Sequence, residues 1–418
     1  MRRSGFERRL RDELHAARPP RAADAERRAW HVVRAAHAVR APEREAHRGR
    51  RVALALAAAA LLAVLALSPA GAKMGDWIGD VVSPASSTLG SLPAQGRLLV
   101  VSPGGPWIVQ EDGARRRLGS FGDAGWSPGG LYVVGARGTQ LVALEPDGDE
   151  RWVRPVRGRV SVPRWSPDGY RIAYRSGRDL WVAYGDNARN WLLASDVGAA
   201  PPAWRPGRPS PGQVVAFASG VRIKIVEVDG RRLLGSTAPG PVPRELWWTA
   251  DGRRLVSVTK GEIRIHGARG RLLGTRTLPP RLRAEGSAID AAGKRLAVAA
   301  PRADGRSSEL LLYRLDRDAA PRQLFAGPGL IEGLAWSIDG RVLVLGLPEA
   351  DQWVFLRPGG SGRLELVEQI RSQFAGGVGA AGAGDAFPRP AGWCYAEPRD
   401  TRPFPACSSG AAPPANVP

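Results

Sequence analysis

Trp165-Ser-Pro-Asp-Gly-Tyr-Arg-Ile-Ala-Tyr174 is the stretch that decides the fold. It opens on a large aromatic residue, passes through a short polar turn and ends in an alternating apolar run. Variants recur about every forty residues: Trp126-Ser-Pro-Gly-Gly, Trp204-Arg-Pro-Gly, Trp248-Thr-Ala-Asp-Gly, a decayed Ile289-Asp-Ala-Ala-Gly, and Trp336-Ser-Ile-Asp-Gly. Two short runs rich in Val, Leu, Ile and Tyr follow each copy. They lie at 131–134 and 141–144, 171–174 and 180–183, 214–218 and 221–228, 255–258 and 262–266, 296–299 and 310–315, and 342–345 and 353–356. Another pair, 98–101 and 107–110, precedes the first copy. A repeat of this length built from short strands marks a β-propeller, with each repeat one four-stranded blade. The fold class is all-β, and the strand pairs predict seven blades, with six as the alternative.

The phrase has a physical reading at each position. Asp-Gly at 168–169, 251–252 and 339–340 suits a tight connection, because Gly tolerates positive φ and Asp can bond its own backbone. Pro128 and Pro167 fix the chain as it enters the turn. The indole offers a broad apolar plate for packing between blades. Trp126, Trp165, Asp168, Gly169, Trp204, Trp248, Asp251, Gly252, Trp336, Asp339 and Gly340 are therefore expected to be scaffold residues.

The words from Trp165 to Tyr174 resemble the WD40-like repeat of TolB-type β-propellers, and the resemblance covers residues 96–360. Other copies drift: Trp204 lacks the Asp, Trp248 is followed by Thr-Ala, and Ile289 replaces the Trp. The resemblance implies a propeller exposed outside the cytoplasmic membrane and used as a protein- or ligand-binding platform. It does not bring TolB's partner, and this chain shows no clear sign of TolB's separate N-terminal domain. Propeller lipoproteins share the architecture, but no lipobox cysteine stands near residue 72.

The chain has 418 residues and a formal charge of +20, supplied almost wholly by arginine. Dominance of Ala, Arg, Gly and Pro is what GC-rich coding produces, so basicity alone does not argue for nucleic acid. It does favour anionic partners such as lipid head groups or wall polymers. Cys394 and Cys407, with His15, His31, His37, His47 and His266, leave little material for a protein-built metal site. Neither a metal nor a cofactor is expected.

Residues 52–72 read VALALAAAALLAVLALSPAGA, an uncharged run long enough to cross a bilayer core as a helix. Arg48, Arg50 and Arg51 precede it, and Lys73, Asp76 and Asp80 follow. The positive-inside rule puts the N-terminus in the cytoplasm and the long C-terminal part outside. A cleaved signal peptide is the alternative, because Ala70-Gly-Ala72 has the small-residue form of a cleavage site; yet residues 1–51 ahead of the run far exceed an ordinary n-region. The expected organisation is a basic cytoplasmic helical segment 1–51, a transmembrane helix 52–72, a linker 73–95, the propeller 96–360 and a C-terminal region 361–418.

Within 1–51, Ser4 and Glu7 form a capping-box pattern, and Phe6, Leu10 and Leu14 make a single apolar stripe. So narrow a stripe cannot build its own core. It is expected to meet inner-leaflet lipid or a cytoplasmic protein. The layout resembles that of transmembrane anti-sigma factors, although His31 and His37 stand without the cysteines of the zinc-type members.

A search for catalytic patterns finds no nucleophile elbow, P-loop or HExxH. His266 stands by itself on an expected strand and reads as structural. In the C-terminal region, 364–374 reads as a last strand and a short helix, and 376–384 as a flexible Gly/Ala linker. Cys394 and Cys407 flank a Pro-rich loop, where a disulfide is permitted if this end lies outside the cell. The reading is a non-enzymatic, membrane-anchored extracytoplasmic propeller that acts as a protein- or ligand-binding sensor or scaffold. Its ligand is expected to be a protein or an anionic envelope component, and nucleic acid is disfavoured. An anti-sigma-like regulator acting through 1–51 and a cell-envelope hydrolase or lyase are the alternatives.

Overall fold

The computed structural model describes residues 88–207, 212–359, 364–375, 387–399 and 406–409. All of them belong to the compact unit Val81–Pro418. The expected cytoplasmic segment and transmembrane helix lie outside the described residues, as does most of the linker. Among the described residues, no helix is long and apolar enough to cross a membrane.

Seven antiparallel sheets form the described ring, each a meander running outward from an inner strand. Blade 2 shows the pattern: Asp123–Trp126 innermost, then Val133–Arg137, Gln140–Leu144 and Glu150–Pro155. The inner strands of blades 3 to 7 are Val160–Trp165, Ala203–Trp204, Glu245–Trp248, Gly286–Ile289 and Glu332–Trp336. The corresponding outer strands are Asn190–Ala194, Arg232–Ser236, Leu272–Thr277, Arg322–Pro328 and Leu364–Glu368. Every copy of the repeated phrase thus ends an inner strand and turns the chain into the second strand.

Blade 1 is assembled from both ends of the ring. Its inner strand is Arg389–Cys394, and the strands outside it are Arg97–Ser102, Gly105–Val109 and Arg115–Arg117. The ring therefore extends beyond residue 360. Pairing of Leu98 with Trp393 and of Val101 with Arg389 closes it, which removes the open edges a curved array of sheets would otherwise expose. A fifth strand, Ser408–Ser409, pairs with the inner side of Arg389–Cys394.

Burial follows from this geometry. A blade is covered on both faces by its neighbours, so middle strands are apolar throughout instead of alternating. Leu343–Leu347 is buried at every position. Outer strands keep one wet face, as in the half-exposed Asn190–Ala194. The core is a set of inter-blade clusters. In one, Trp336, Leu343 and Leu345 of blade 7 pack against Ala288, Ala297 and Ala299 of blade 6. The small alanines leave room for the indole.

The turns repeat in atomic detail. Ser166 Oγ donates to Asp168 Oδ1 and accepts the Arg171 N–H at 2.9 Å, while the Gly169 N–H reaches Ser166 O at 2.9 Å with Gly169 at φ 73°. Thr249 and Asp251 reproduce this, as do Ser337 and Asp339, with Gly252 and Gly340 at φ 63° and 66°. The decayed copy keeps the function by other means. Asp290, one place after Ile289, accepts the Lys294 and Arg295 N–H groups at 2.8 and 2.9 Å. One carboxylate replaces the Ser hydroxyl that elsewhere receives the N–H opening the second strand.

Arginines lock three junctions. Arg97, Arg205 and Arg295 each lie over the Trp of the next blade, at 5.0 Å from Trp126, 5.5 Å from Trp248 and 4.6 Å from Trp336. Each also donates to a carbonyl in that neighbour's turn: Gly130 O at 2.8 Å, Gly252 O at 2.6 Å and Gly340 O at 2.6 Å. Cation–π contact and a charge-assisted hydrogen bond act together there.

Candidate functional site: the central channel

The inner strands surround a channel, and its two ends differ in chemistry. A cavity of about 270 Å³ runs along the channel, from Trp126, Trp165, Trp204, Trp248 and Ala406–Ser408 at the turn end to Glu245 and Arg164 nearer the start of the inner strands. Indole N–H groups step from blade to blade. Trp204 donates to Arg164 O at 2.9 Å, Trp248 to Ala203 O at 3.1 Å and Trp336 to Ala288 O at 3.0 Å. The acceptor is always the carbonyl just before the equivalent position of the preceding blade. Trp126 and Trp165 are buried too, but their Nε1 atoms have no hydrogen-bond partner among the described residues. Asp168, Gly169, Asp251, Gly252, Asp339 and Gly340 sit in the turns themselves. Hydrogen bonding to Thr249, and then to the Arg253 N–H, holds the Asp251 carboxyl below its ordinary value.

The C-terminal segment closes over this end. Ser408 Oγ donates to Trp336 O at 2.6 Å and accepts the Trp393 N–H at 2.9 Å. Cys394 and Cys407 form a disulfide with their Cα atoms 4.6 Å apart.

The opposite mouth is formed where the inner strands begin. Charged residues stand there on five consecutive blades: Glu245, Glu285, Glu332, Arg389 and Asp123. Arg389 lies in the field of Glu332 on one side and of Asp123 on the other, with Arg164 also near. Burial lowers the Arg389 guanidinium below its usual value, the two carboxylates only partly offsetting it. Burial likewise raises Glu332, Arg389 opposes the rise, and Glu349 and Glu285 add to it. Both groups are thus pushed away from their charged forms, and the ion pairs formed among the described residues do not include either. Desolvated charges without close partners carry free energy that a complementary ligand can recover.

Two further carboxylates are fixed by the backbone and by neighbours. Asp123 accepts the Ala124 N–H at 2.9 Å and the Val162 N–H of blade 3 at 3.0 Å. Val162 has φ 46°, a left-handed conformation that β-branched residues rarely take, and it sits in a bulge of the inner strand between Ser161 and Arg164. Asp123 therefore holds a strained bulge, next to which Arg164 enters the cavity lining. Glu245 accepts from Ser287 Oγ, which in turn accepts the Trp247 indole N–H at 2.8 Å.

Sequence reasoning missed this mouth because its residues do not form a motif. A signal is present in retrospect: Asp123 and Glu245 each stand three places before a phrase Trp, and Glu332 four. Charge at the start of an inner strand is unusual where apolar burial is the rule. Arg389 carries no such mark, since its strand lacks the phrase. His266 is buried against Ser257 Oγ at 3.2 Å, and burial lowers its pKa. Among the described residues, no group of three or more His, Cys, Asp or Glu is placed to hold a metal ion.

No family model matches the chain, and no curated protein matches it. Solved structures do. Kuenenia stuttgartiensis hydrazine synthase is 14% identical with a TM-score of 0.47, over 56% of this chain and 75% of that one. The Cps50 (Swd1) β-propeller domain of Myceliophteria thermophila is 14% identical with a TM-score of 0.46, over 59% and 85%. A chain of the mitotic checkpoint complex is 17% identical with a TM-score of 0.46, over 58% and 74%. The fold assignment rests on the seven meanders themselves.

Proposed function

We propose that this protein is a non-catalytic binding propeller, held at the outer face of a cytoplasmic membrane by residues 52–72, that receives a partner protein at the charged mouth of its channel. The single observation that carries the reading is the mouth. Carboxylates of Asp123, Glu245, Glu285 and Glu332 outnumber the guanidiniums of Arg389 and Arg164, and burial shifts both Glu332 and Arg389 toward neutrality. A basic side chain entering beside Glu332 would favour its charged form and offset the repulsion from Glu285 and Glu349. Loops between blades also converge on this mouth, as they do where propellers commonly bind. The uncharged run at 52–72 and the arginines before it support the topology, and residues 1–51 would carry a bound signal inward.

Crosslinking in intact cells tests the reading. A photoreactive residue at position 285 of the full chain should trap one protein, and Glu332→Gln should abolish the adduct. Adducts unaffected by Glu332→Gln, or none, would remove the channel from the function. A reporter fused after residue 418 should be active outside the cytoplasm, and cytoplasmic activity would overturn the topology.

A further inference from the structure

Blades 4 and 5 share a second phrase that the fold does not need. Arg232-Leu-Leu-Gly235 opens the outer strand of blade 4, and Arg271-Leu-Leu-Gly274 the outer strand of blade 5. Their leucines do not behave as core residues. Leu234 packs inward with Ala268, but Leu233 is 58% exposed, Leu272 48% and Leu273 45%. Large apolar side chains this bare are few among the described residues, and three of them belong to these two adjoining strands.

The two edges are one surface. A side chain at Gly235 would collide with the Arg269 carbonyl of blade 5, and one at Gly270 with Ser236 of blade 4. Backbone contact this close fixes Leu233 beside the strand that carries Leu272 and Leu273. Arginines frame the leucines: Arg231 and Arg232 on one blade, Arg269 and Arg271 on the other, all exposed. None of the four has an ion pair or side-chain hydrogen bond among the described residues. Nearby carboxylates are already engaged, Asp229 by Arg171 at 2.8 Å and Asp318 by Arg276 at 3.2 Å.

We infer that this rim rests on an anionic lipid surface. Exposed leucines seat in the acyl boundary while guanidiniums meet phosphate above it, the arrangement of interfacial protein surfaces. Unneutralised positive charge around the apolar patch selects a negatively charged bilayer over a neutral one. The inference uses the proposed anchor for reach: Thr88, the first described residue, follows Ala72 closely enough that the intervening chain spans at most about 55 Å when fully extended.

Flotation and amide hydrogen exchange on the full chain test it with two lipids, phosphatidylcholine alone and phosphatidylcholine containing phosphatidylglycerol. Amides at 231–236 and 270–277 should be protected on the anionic vesicles, exposed on the neutral ones, and released by high salt. Each arginine should be worth about fivefold in affinity for the anionic surface. The combined variant Arg231→Asn, Arg232→Asn, Arg269→Asn and Arg271→Asn should therefore lose the protection while the inner strands exchange as slowly as before. Equal rim exchange on both lipids would overturn the inference. So would rim protection in lipid-free protein that grows with protein concentration, which would indicate a second copy. The anchor is read separately: it predicts flotation with neutral vesicles, whatever the rim does.

Discussion

The channel mouth and the rim of blades 4 and 5 place opposite charges in opposite surroundings. At the mouth, carboxylates begin the inner strands, and Glu332 is held above its ordinary pKa by burial. On the rim, Arg231, Arg232, Arg269 and Arg271 are solvated and surround bare leucines. A net charge of +20 conceals both patterns. Part of the basicity is spent inside the scaffold, where Arg97, Arg205 and Arg295 clamp indoles and turn carbonyls. The arginines with a surface role are those the blades leave unpaired. Sum of charge says little about where a partner binds, and the environment of each charge says most of it.

The contrast can be broken most severely from the channel side. Trp336→Ala should cost about 3–5 kcal/mol, because it empties a fully buried site between blades 6 and 7. A denaturant midpoint close to wild type would show that blades do not depend on the indole plates. Asp290→Ala should cost about 1–3 kcal/mol by leaving the Lys294 and Arg295 N–H groups unpaired. Asp290→Ser should recover part of that loss, since it restores the hydroxyl of the other copies. If Ser is no better than Ala, the equivalence of the decayed turn fails.

The mouth should also respond to pH in a way the rim does not. Glu332 has a folded pKa raised above 4.5, so the folded state binds its proton more tightly than the unfolded state. Its contribution is fully present below pH 4.5 and is lost as pH rises through the folded value. Glu332→Gln should therefore stabilise the protein at neutral pH and confer little change below pH 4.5, as read by thermal melts across pH. A variant destabilised at neutral pH would mean that Arg389 already neutralises the carboxylate. His266 has the opposite slope: its pKa is lowered by burial, so stability should fall as pH drops below 6.5, and His266→Gln should flatten that fall. The smallest effect belongs to the rim, where Leu233→Ser with Leu272→Ser should move stability by no more than about 0.5 kcal/mol each. A larger loss would place these leucines in the core and remove their availability to a lipid surface.

The blades were legible in the sequence because one residue type dominates each role. Trp at the end of an inner strand, Gly at positive φ and a short polar side chain receiving the next N–H are local demands, met within a few residues. Blade 6 kept its turn legible even with Ile289 in place of Trp, since Asp290 and Gly293 still meet those demands. Ring closure was not legible. Arg389–Cys394 has neither the phrase nor a regular alternation, and its partner Arg97–Ser102 lies nearly the length of the ring away in sequence. The mouth was hidden for the same reason, since Arg389, Glu332 and Asp123 come from three blades and meet only when the ring closes.

The sequence by itself determined the repeat, the number of strand pairs and the turn chemistry, because each depends on neighbours along the chain. It also supplied the uncharged run at 52–72, whose reading depends only on length and polarity. Tertiary structure decided which charges lost their water and which kept it. Desolvation and field are set by what surrounds a group in space, and in a closed ring most of that comes from other blades.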